Sequence, residues 1–217
     1  METFLTFLLK DNTASWKSIS ILDVGCADGG NTKKFAKIGF SVIGLDLSVK
    51  YLKDAKAAAQ EIDFVCGAVE YLPFKDNSFN HAISMAVFQY VQRLRGLREL
   101  ARVTKSDGIV IIDISNRYCI YHFGLNRIIH FLFPSIPTYR GLDHHMSSRS
   151  EMRRLLHYAG LIEIETKPII LVHWNLPDWL FRFVRWAELF FQESPLIREL
   201  MGVIVCKGVV SARATAL

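Results

Sequence analysis

Residues 21–30 read Ile-Leu-Asp-Val-Gly-Cys-Ala-Asp-Gly-Gly, an apolar run followed directly by small residues. The apolar run predicts a buried strand, and the small residues predict a tight turn that opens a helix. Gly25 and Gly29 have no Cβ atom, so each of them can adopt a positive φ and let a ligand approach the main chain closely. The stretch therefore predicts a ligand-binding loop between a first strand and a first helix.

The same alternation continues through the first half of the chain. From Ser18 to Asp113, short apolar runs alternate with longer helical patterns, which is typical of βαβ units around a parallel sheet. We expect strands at 19–24, 41–46, 63–66, 81–85, 108–114, 161–171 and 203–210, and helices at 30–38, 48–60, 92–103 and 149–158. Together they predict an α/β fold, a Rossmann-like three-layer sandwich with a mainly parallel seven-stranded sheet.

Two aromatic segments interrupt this rhythm. The length of 217 residues favours one domain over 1–217. Within it, segments 115–148 and 172–200 contain glycines or prolines among many aromatic residues, and we interpret them as insertions after the fifth and sixth strands that form a lid or an interface. Residues 176–192 predict a helix with a broad apolar face, for which packing on the domain, a homodimer, a substrate lid and peripheral membrane contact are the alternatives.

Composition and charge limit the partners and the location that we expect for the protein. The net charge of +5 is spread along the chain without a basic stripe, so we predict no nucleic-acid partner. Residues 4–9 form an apolar run too short to span a bilayer, which predicts an amphipathic helix near the N-terminus. The cysteines predict reduced, buried thiols and a cytoplasmic location, because they stand at isolated positions: Cys26, Cys66, Cys119 and Cys206.

Two acidic residues end successive strands beside the predicted loop. Asp46 can accept hydrogen bonds from both hydroxyls of a ribose, which indicates a nucleoside ligand of some kind. Gly25, Ala27 and Gly30 also satisfy the G-x-A-x-x-G spacing of a dinucleotide site. Asp23 argues against that alternative, because a carboxylate there would repel a pyrophosphate and would suit a ligand that carries an ammonium group.

Several segments, taken in order, resemble those of class I S-adenosylmethionine-dependent methyltransferases, in particular the small-molecule group related to ubiquinone biosynthesis. Residues 23–29, Asp-Val-Gly-Cys-Ala-Asp-Gly, resemble their glycine-rich first motif, and Asp46 matches their ribose-binding acid. Residues 67–80, Gly-Ala-Val-Glu-Tyr-Leu-Pro-Phe-Lys-Asp-Asn-Ser-Phe-Asn, are similar to their segment around the adenine and the fourth strand. Residues 97–108, Leu-Arg-Glu-Leu-Ala-Arg-Val-Thr-Lys-Ser-Asp-Gly, resemble the helix and turn before their fifth strand.

The resemblance implies S-adenosyl-L-methionine as cofactor and methyl transfer as activity. The residues expected to bind the cofactor are Asp23, Gly25, Cys26, Ala27, Gly29, Asp46, Leu47, Ala68, Val69, Glu70 and Met85. Ala68 departs from the pattern, since the family commonly has an Asp there that accepts a hydrogen bond from the adenine amino group. Its loss weakens adenine binding by about 0.5–1.5 kcal/mol unless the backbone or Glu70 substitutes.

Methyl transfer from a sulfonium requires positioning of the acceptor and exclusion of water, and it requires no dedicated catalytic residue. His145 and Tyr118 are therefore only weak candidates for a base. His144 and His145 lack a complementary ligand spacing, so we predict no metal site. The aromatic insertions favour a small hydrophobic or amphiphilic acceptor. The alternatives are a sugar or other polar metabolite, a cofactor-binding homologue without turnover, and a nicotinamide-dependent oxidoreductase.

Overall fold

Seven strands form one mixed sheet in the computed structural model of the chain, which describes residues 2–9, 18–119, 146–169, 182 and 202–212. The strands are β1 (Ser20–Val24), β2 (Ser41–Asp46), β3 (Asp63–Cys66), β4 (Phe79–Ser84), β5 (Thr104–Ser115), β6 (Leu161–Ile169) and β7 (Val203–Val210). Their order in the sheet is β3-β2-β1-β4-β5-β7-β6. The first five are parallel, and β7 lies antiparallel between β5 and β6. The predicted mainly parallel seven-stranded sheet is confirmed.

Helices cover both faces of the sheet. They are α1 (Glu2–Leu9), α2 (Gly30–Ile38), α3 (Val49–Ala58), α4 (Arg93–Val103) and α5 (Arg149–Tyr158). On one face, Leu97 and Leu100 of α4 pack in a core cluster with Met152 of α5. On the other face, Phe4 of α1 and Phe35 of α2 belong to a second cluster. The sheet is therefore buried on both sides, as its near-continuous apolar strands require.

Strand β5 begins earlier than its sequence pattern indicates. The prediction placed its start at Gly108, but Thr104 already pairs with Phe79, and the register shifts before Ile109 pairs with His81. The Thr104 hydroxyl donates a hydrogen bond to the Leu100 carbonyl, so the chain passes from α4 into the strand without a separate loop. The predicted insertions at 115–148 and 172–200, and with them the helix at 176–192, lie largely outside the described residues.

Composition predicted a helix near the N-terminus and buried thiols, and the structure agrees with the first prediction and only in part with the second. The apolar run near the N-terminus lies in α1, where Phe4, Phe7 and Leu8 are buried. The prediction of buried thiols is wrong for Cys66, which is exposed because it ends the edge strand β3. Within the parts of the chain that the structure describes, no helix has the length and apolarity needed to cross a bilayer.

Arg102 connects α4 to the segment between β3 and β4. Its guanidinium donates to both oxygens of Glu99, at 2.7 and 2.8 Å, and to the Asp76 carboxylate at 2.7 Å. It also donates to the carbonyls of Leu72 and Phe74, at 3.0 and 2.9 Å. All five N–H donors of the side chain are thereby used, which explains how the apolar turn around Pro73 is fixed. The hydrogen bonds from Arg102 also lower the pKa of the Glu99 carboxyl.

Replacing Arg102 with Lys should lower the free energy of unfolding by about 1–2 kcal/mol, because an ammonium cannot reach two carbonyls and two carboxylates at once. Urea denaturation of the purified variant measures this change. Arg98→Lys is the matched control, since Arg98 lies one turn earlier on α4 and is exposed. Its effect should stay below about 0.5 kcal/mol, and equal losses in the two variants would contradict the role given to Arg102.

Candidate cofactor site

The loop that follows β1 folds back over the end of β2. The amides of Gly25 and Cys26 both donate to the Leu45 carbonyl, at 2.7 and 3.0 Å. Three residues of the loop have positive φ: Gly25 at 77°, Ala27 at 47° and Gly29 at 74°. Only Ala27 carries a Cβ atom, so its conformation is strained and must be held by a specific contact. The predicted small-residue turn is therefore present, and it precedes α2 directly.

Asp46 supplies that contact. One of its carboxylate oxygens accepts from the Ala27 amide at 2.9 Å, and the other accepts from the Ser48 amide at 2.8 Å. The side chain is half-buried at the end of β2. A carboxylate offers about four lone-pair positions, so two remain for a ligand. The residue predicted to bind a ribose thus also fixes the loop that would hold the rest of that ligand.

Asp23 lies beneath the loop. Its side chain is 2% exposed and accepts a 2.6 Å hydrogen bond from the Thr32 hydroxyl in α2. Burial raises the pKa of this carboxyl to about 6. In this position Asp23 ties β1 to α2, a role that the sequence did not predict. Its predicted contact with an ammonium group stays a prediction.

Neighbouring side chains explain why two loop positions are glycine. A Cβ atom on Gly25 would overlap the side chain of Val87, which follows β4. A Cβ atom on Gly29 would lie 3.0 Å from the Phe64 ring and 3.2 Å from Ala55. Cys26 is buried, and burial raises the pKa of its thiol to about 12. The part of Cys26 that can meet a ligand is therefore its main chain.

The residues after β2 and β3 that were predicted to bind the cofactor differ in their exposure and in their contacts. Leu47 is 72% exposed beside Asp46, and Ala68 is half-buried just after β3. Val69 is 4% exposed and packs against Gly96 of α4, which leaves its backbone for a ligand. Glu70 accepts a 3.1 Å hydrogen bond from the Gln92 amide at the start of α4. A carboxylate there stabilises the helix N-terminus, so the structure gives Glu70 a capping role.

Asp113 is a site residue that sequence reasoning missed. It lies near the end of β5 and accepts a 2.6 Å hydrogen bond from the Ala86 amide, just after β4. Ala86 has a φ of 60°, which makes it a strained alanine like Ala27. Burial raises the pKa of Asp113 to about 6. A signal was available, since residues 45–48 read Leu-Asp-Leu-Ser and residues 112–115 read Ile-Asp-Ile-Ser.

The remaining predicted residues are Met85, Tyr118 and His145. Met85 is half-buried between Ser84 and Ala86, and its sulfur lies 3.7 Å from the Asn31 amide nitrogen in α2. Tyr118 is 49% exposed after β5, and His145 lies outside the described residues. No group of three or more metal-binding side chains occurs among the residues that the structure describes.

Comparisons with known proteins bear on this site. Residues 22–112 match the sequence profile of a family described as a methyltransferase domain. A demethylmenaquinone methyltransferase of Paenarthrobacter aurescens is 36% identical over 93 residues, which are 42% of this chain and 37% of that protein. A malonyl-acyl-carrier-protein O-methyltransferase of Buchnera aphidicola is 32% identical over 117 residues, 54% of this chain and 47% of that protein. The matches thus span less than half the length of these curated relatives.

The fold is similar to that of solved methyltransferases. A crystal structure described as a SAM-dependent methyltransferase from Methanosarcina mazei superposes with a TM-score of 0.66 and 19% identity. The similarity covers 94% of this chain and 97% of that one. At this level of identity the likeness establishes the fold, and it confirms the predicted Rossmann-like architecture.

Asp23 should make the protein less stable as the pH rises. Its pKa in the folded protein, about 6, lies above the ordinary value near 3.9. Its stabilising contribution is therefore complete below about pH 4 and is lost as the pH rises through about 6. Asp23→Asn removes this titration, so the free energy of unfolding of the variant relative to the unaltered protein should rise by about 1–3 kcal/mol between about pH 4 and pH 7.

Urea denaturation at both pH values tests this prediction. Asp113, whose pKa is also raised by burial, contributes in the same direction, and His81, whose pKa burial lowers to about 4, contributes in the opposite direction. Both contributions are common to the variant and the unaltered protein, so they cancel in the difference between the two. Asp28→Asn is the control, because Asp28 lies exposed in the same loop. The difference between this control and the unaltered protein should be the same at both pH values, and the same result for Asp23→Asn would refute the burial effect.

Proposed function

We propose that this chain, whose residues 22–112 belong to the methyltransferase domain family, is a class I S-adenosylmethionine-dependent methyltransferase that acts on a small hydrophobic or amphiphilic molecule. The observation that carries the proposal is the Asp46 carboxylate, which holds the strained Ala27 and keeps lone pairs for a ribose. Relatives that share this part of the chain are named methyltransferases. The demethylmenaquinone enzyme among them supports an apolar acceptor.

The described residues suit each part of the proposed cofactor. Asp46 would accept from the ribose hydroxyls, and the exposed side chain of Leu47 would cover one face of the adenine beside Ala68. The main chain of the loop from Gly25 to Gly29 would meet the methionine portion, because the glycines at its two ends let a ligand approach it closely. The Asp23 carboxylate beneath this loop suits a ligand that carries no phosphate, because it would repel one.

Bound S-adenosylmethionine supplies an electrophilic methyl group on a sulfonium, and the protein has to hold the acceptor in line with it. Two contacts of this chain serve that positioning. Asp113 fixes Ala86, and Glu70 fixes Gln92, so both ends of the segment between β4 and α4 are anchored. Val87 of this segment lies over Gly25. We therefore assign Asp113 as a positioning residue for the acceptor side of the site.

Calorimetric titration with S-adenosylhomocysteine, run beside NAD under the same conditions, tests the proposal. Binding of S-adenosylhomocysteine with a micromolar dissociation constant and no binding of NAD is the expected result, since the Asp23 carboxylate beneath the loop would repel a pyrophosphate. Methyl transfer to an extract of amphiphilic metabolites then separates an enzyme from a binding protein without turnover. Binding of NAD alone would favour the oxidoreductase alternative.

Asp46→Ala should weaken binding of S-adenosylhomocysteine by more than about 1 kcal/mol, because two ribose hydroxyls lose their charged acceptor. Asp46→Asn keeps one acceptor oxygen and should lose less. Asp54→Ala on the exposed side of α3 is the matched control and should bind like the unaltered protein. Calorimetry of the three variants measures these differences, and an unchanged affinity in Asp46→Ala would mean that the ribose is held elsewhere.

A further inference from the structure

A groove runs along the first two turns of α4 and is closed on its far side by α5. It is open to solvent and has a volume of about 590 Å³, and its lining contains Arg93, Arg95, Arg98 and Glu151 together with two leucines. A smaller depression beside Glu70 and Tyr90 shares Gln92 and Arg93 with it. The two are therefore adjacent. The smaller depression lies beside Glu70, a predicted cofactor-binding residue, and the groove leads from there to the space between the two helices.

The groove carries an excess of positive charge. Glu151 forms an ion pair with Arg93 at 3.4 Å and with Arg117 at 3.1 Å, so its carboxylate is already shared by two cations. The Arg93 guanidinium therefore already has an acidic partner. The Glu70 carboxylate, in the adjoining depression, accepts from the Gln92 amide. The guanidinium groups of Arg95 and Arg98 remain without an acidic partner among the described residues. An anion that enters the groove would meet these two groups.

Arg95 is held in place before any ligand binds. Its guanidinium carbon lies 3.8 Å from the centroid of the Tyr71 ring, and its Nε donates to the Glu70 carbonyl at 3.2 Å. Stacking on an aromatic ring leaves the terminal nitrogens directed outward and lowers the entropy lost on binding. Arg98 follows three residues later on the same helix, so the two side chains are neighbours that can share one phosphate or carboxylate.

Arg93 and Arg95 lie in the first turn of α4, a position that is unfavourable for the helix itself. Cations near a helix N-terminus oppose the macrodipole, and the first turn of α4 contains no acidic residue. The Glu70 carboxylate compensates from outside the helix. Residues that break a local stability rule are expected at functional sites. Arg95 thus has a better explanation in binding than in helix formation.

From these contacts we infer that the groove binds an anionic group, phosphate or carboxylate, of the methyl acceptor, through Arg95 and Arg98. The inference rests on the proposed function and narrows its substrate class. Leu94 and Leu155 line the groove and would contact an apolar part of the same molecule. Six residues of helix separate Gln92 from Arg98, a rise of about 9 Å. The acceptor is therefore an extended amphiphile whose acidic end lies remote from the methyl group it receives.

Calorimetric titration of the full chain, loaded with S-adenosylhomocysteine, with n-octyl phosphate tests this inference. Arg98→Gln should weaken binding of n-octyl phosphate by about tenfold, because one charge-assisted hydrogen bond is lost. Arg95→Gln should have a similar effect. Arg154→Gln is the control, since Arg154 is exposed on α5 outside the lining of the groove, and it should stay within about twofold. n-Octanol should bind the unaltered protein and Arg98→Gln equally.

The outcomes separate this inference from the proposed function. If S-adenosylhomocysteine binds but n-octyl phosphate does not, or if Arg154→Gln weakens its binding as much as Arg98→Gln, the anion site is refuted and the methyltransferase proposal stands. If n-octyl phosphate binds through Arg98 while S-adenosylhomocysteine does not bind, the anion site stands and its role for a methyl acceptor is refuted. Inorganic phosphate, titrated in parallel, should bind more weakly, because it makes no contact with Leu94 or Leu155.

Discussion

The two hydrogen bonds that the Asp46 carboxylate accepts at the end of β2 constrain the whole carboxyl edge of the sheet. They hold Ala27 at a φ that an alanine rarely adopts, and they join the loop after β1 to the start of α3. Because the same carboxylate is the predicted acceptor for the ribose hydroxyls, the conformation of the loop and the binding of a nucleoside depend on one side chain. The nucleoside part of the proposed cofactor follows from that constraint, and its lack of phosphate follows from Asp23 beneath the loop.

A second aspartate, on the other side of β1, makes the same kind of contact with an alanine amide. Asp113 near the end of β5 accepts from Ala86 after β4, as Asp46 accepts from Ala27 after β1. In each case an acid at one strand end holds a left-handed alanine after the neighbouring strand. Strain of this kind persists only where surrounding structure enforces it, and it concentrates at functional sites. The repetition indicates that both loops, and not the glycine-rich loop alone, shape the site.

The helices and strands of the fold were predictable because the helical and the strand periodicity of apolar residues are both strong in the sequence. The first helix after β1 was predicted at its observed bounds, and so were β2, β3, α5 and β7. The roles of individual side chains were less predictable, since they depend on neighbours distant in sequence. Glu70 caps a helix that begins 23 residues later, and Asp23 bonds a hydroxyl on α2. Cys66 is exposed because β3 is an edge strand, which composition does not reveal.

The segment between β4 and α4 determines how the site accommodates a ligand. Its second residue is held by Asp113 and its last by Glu70, and the Tyr90 amide donates to the Val87 carbonyl to form a turn between them. Val87 lies where a Cβ atom of Gly25 would be, so its side chain occupies the space that opens above the loop. The segment then continues into the arginine-lined start of α4. In the proposed function, the cofactor and the acceptor would therefore contact the same short stretch of chain.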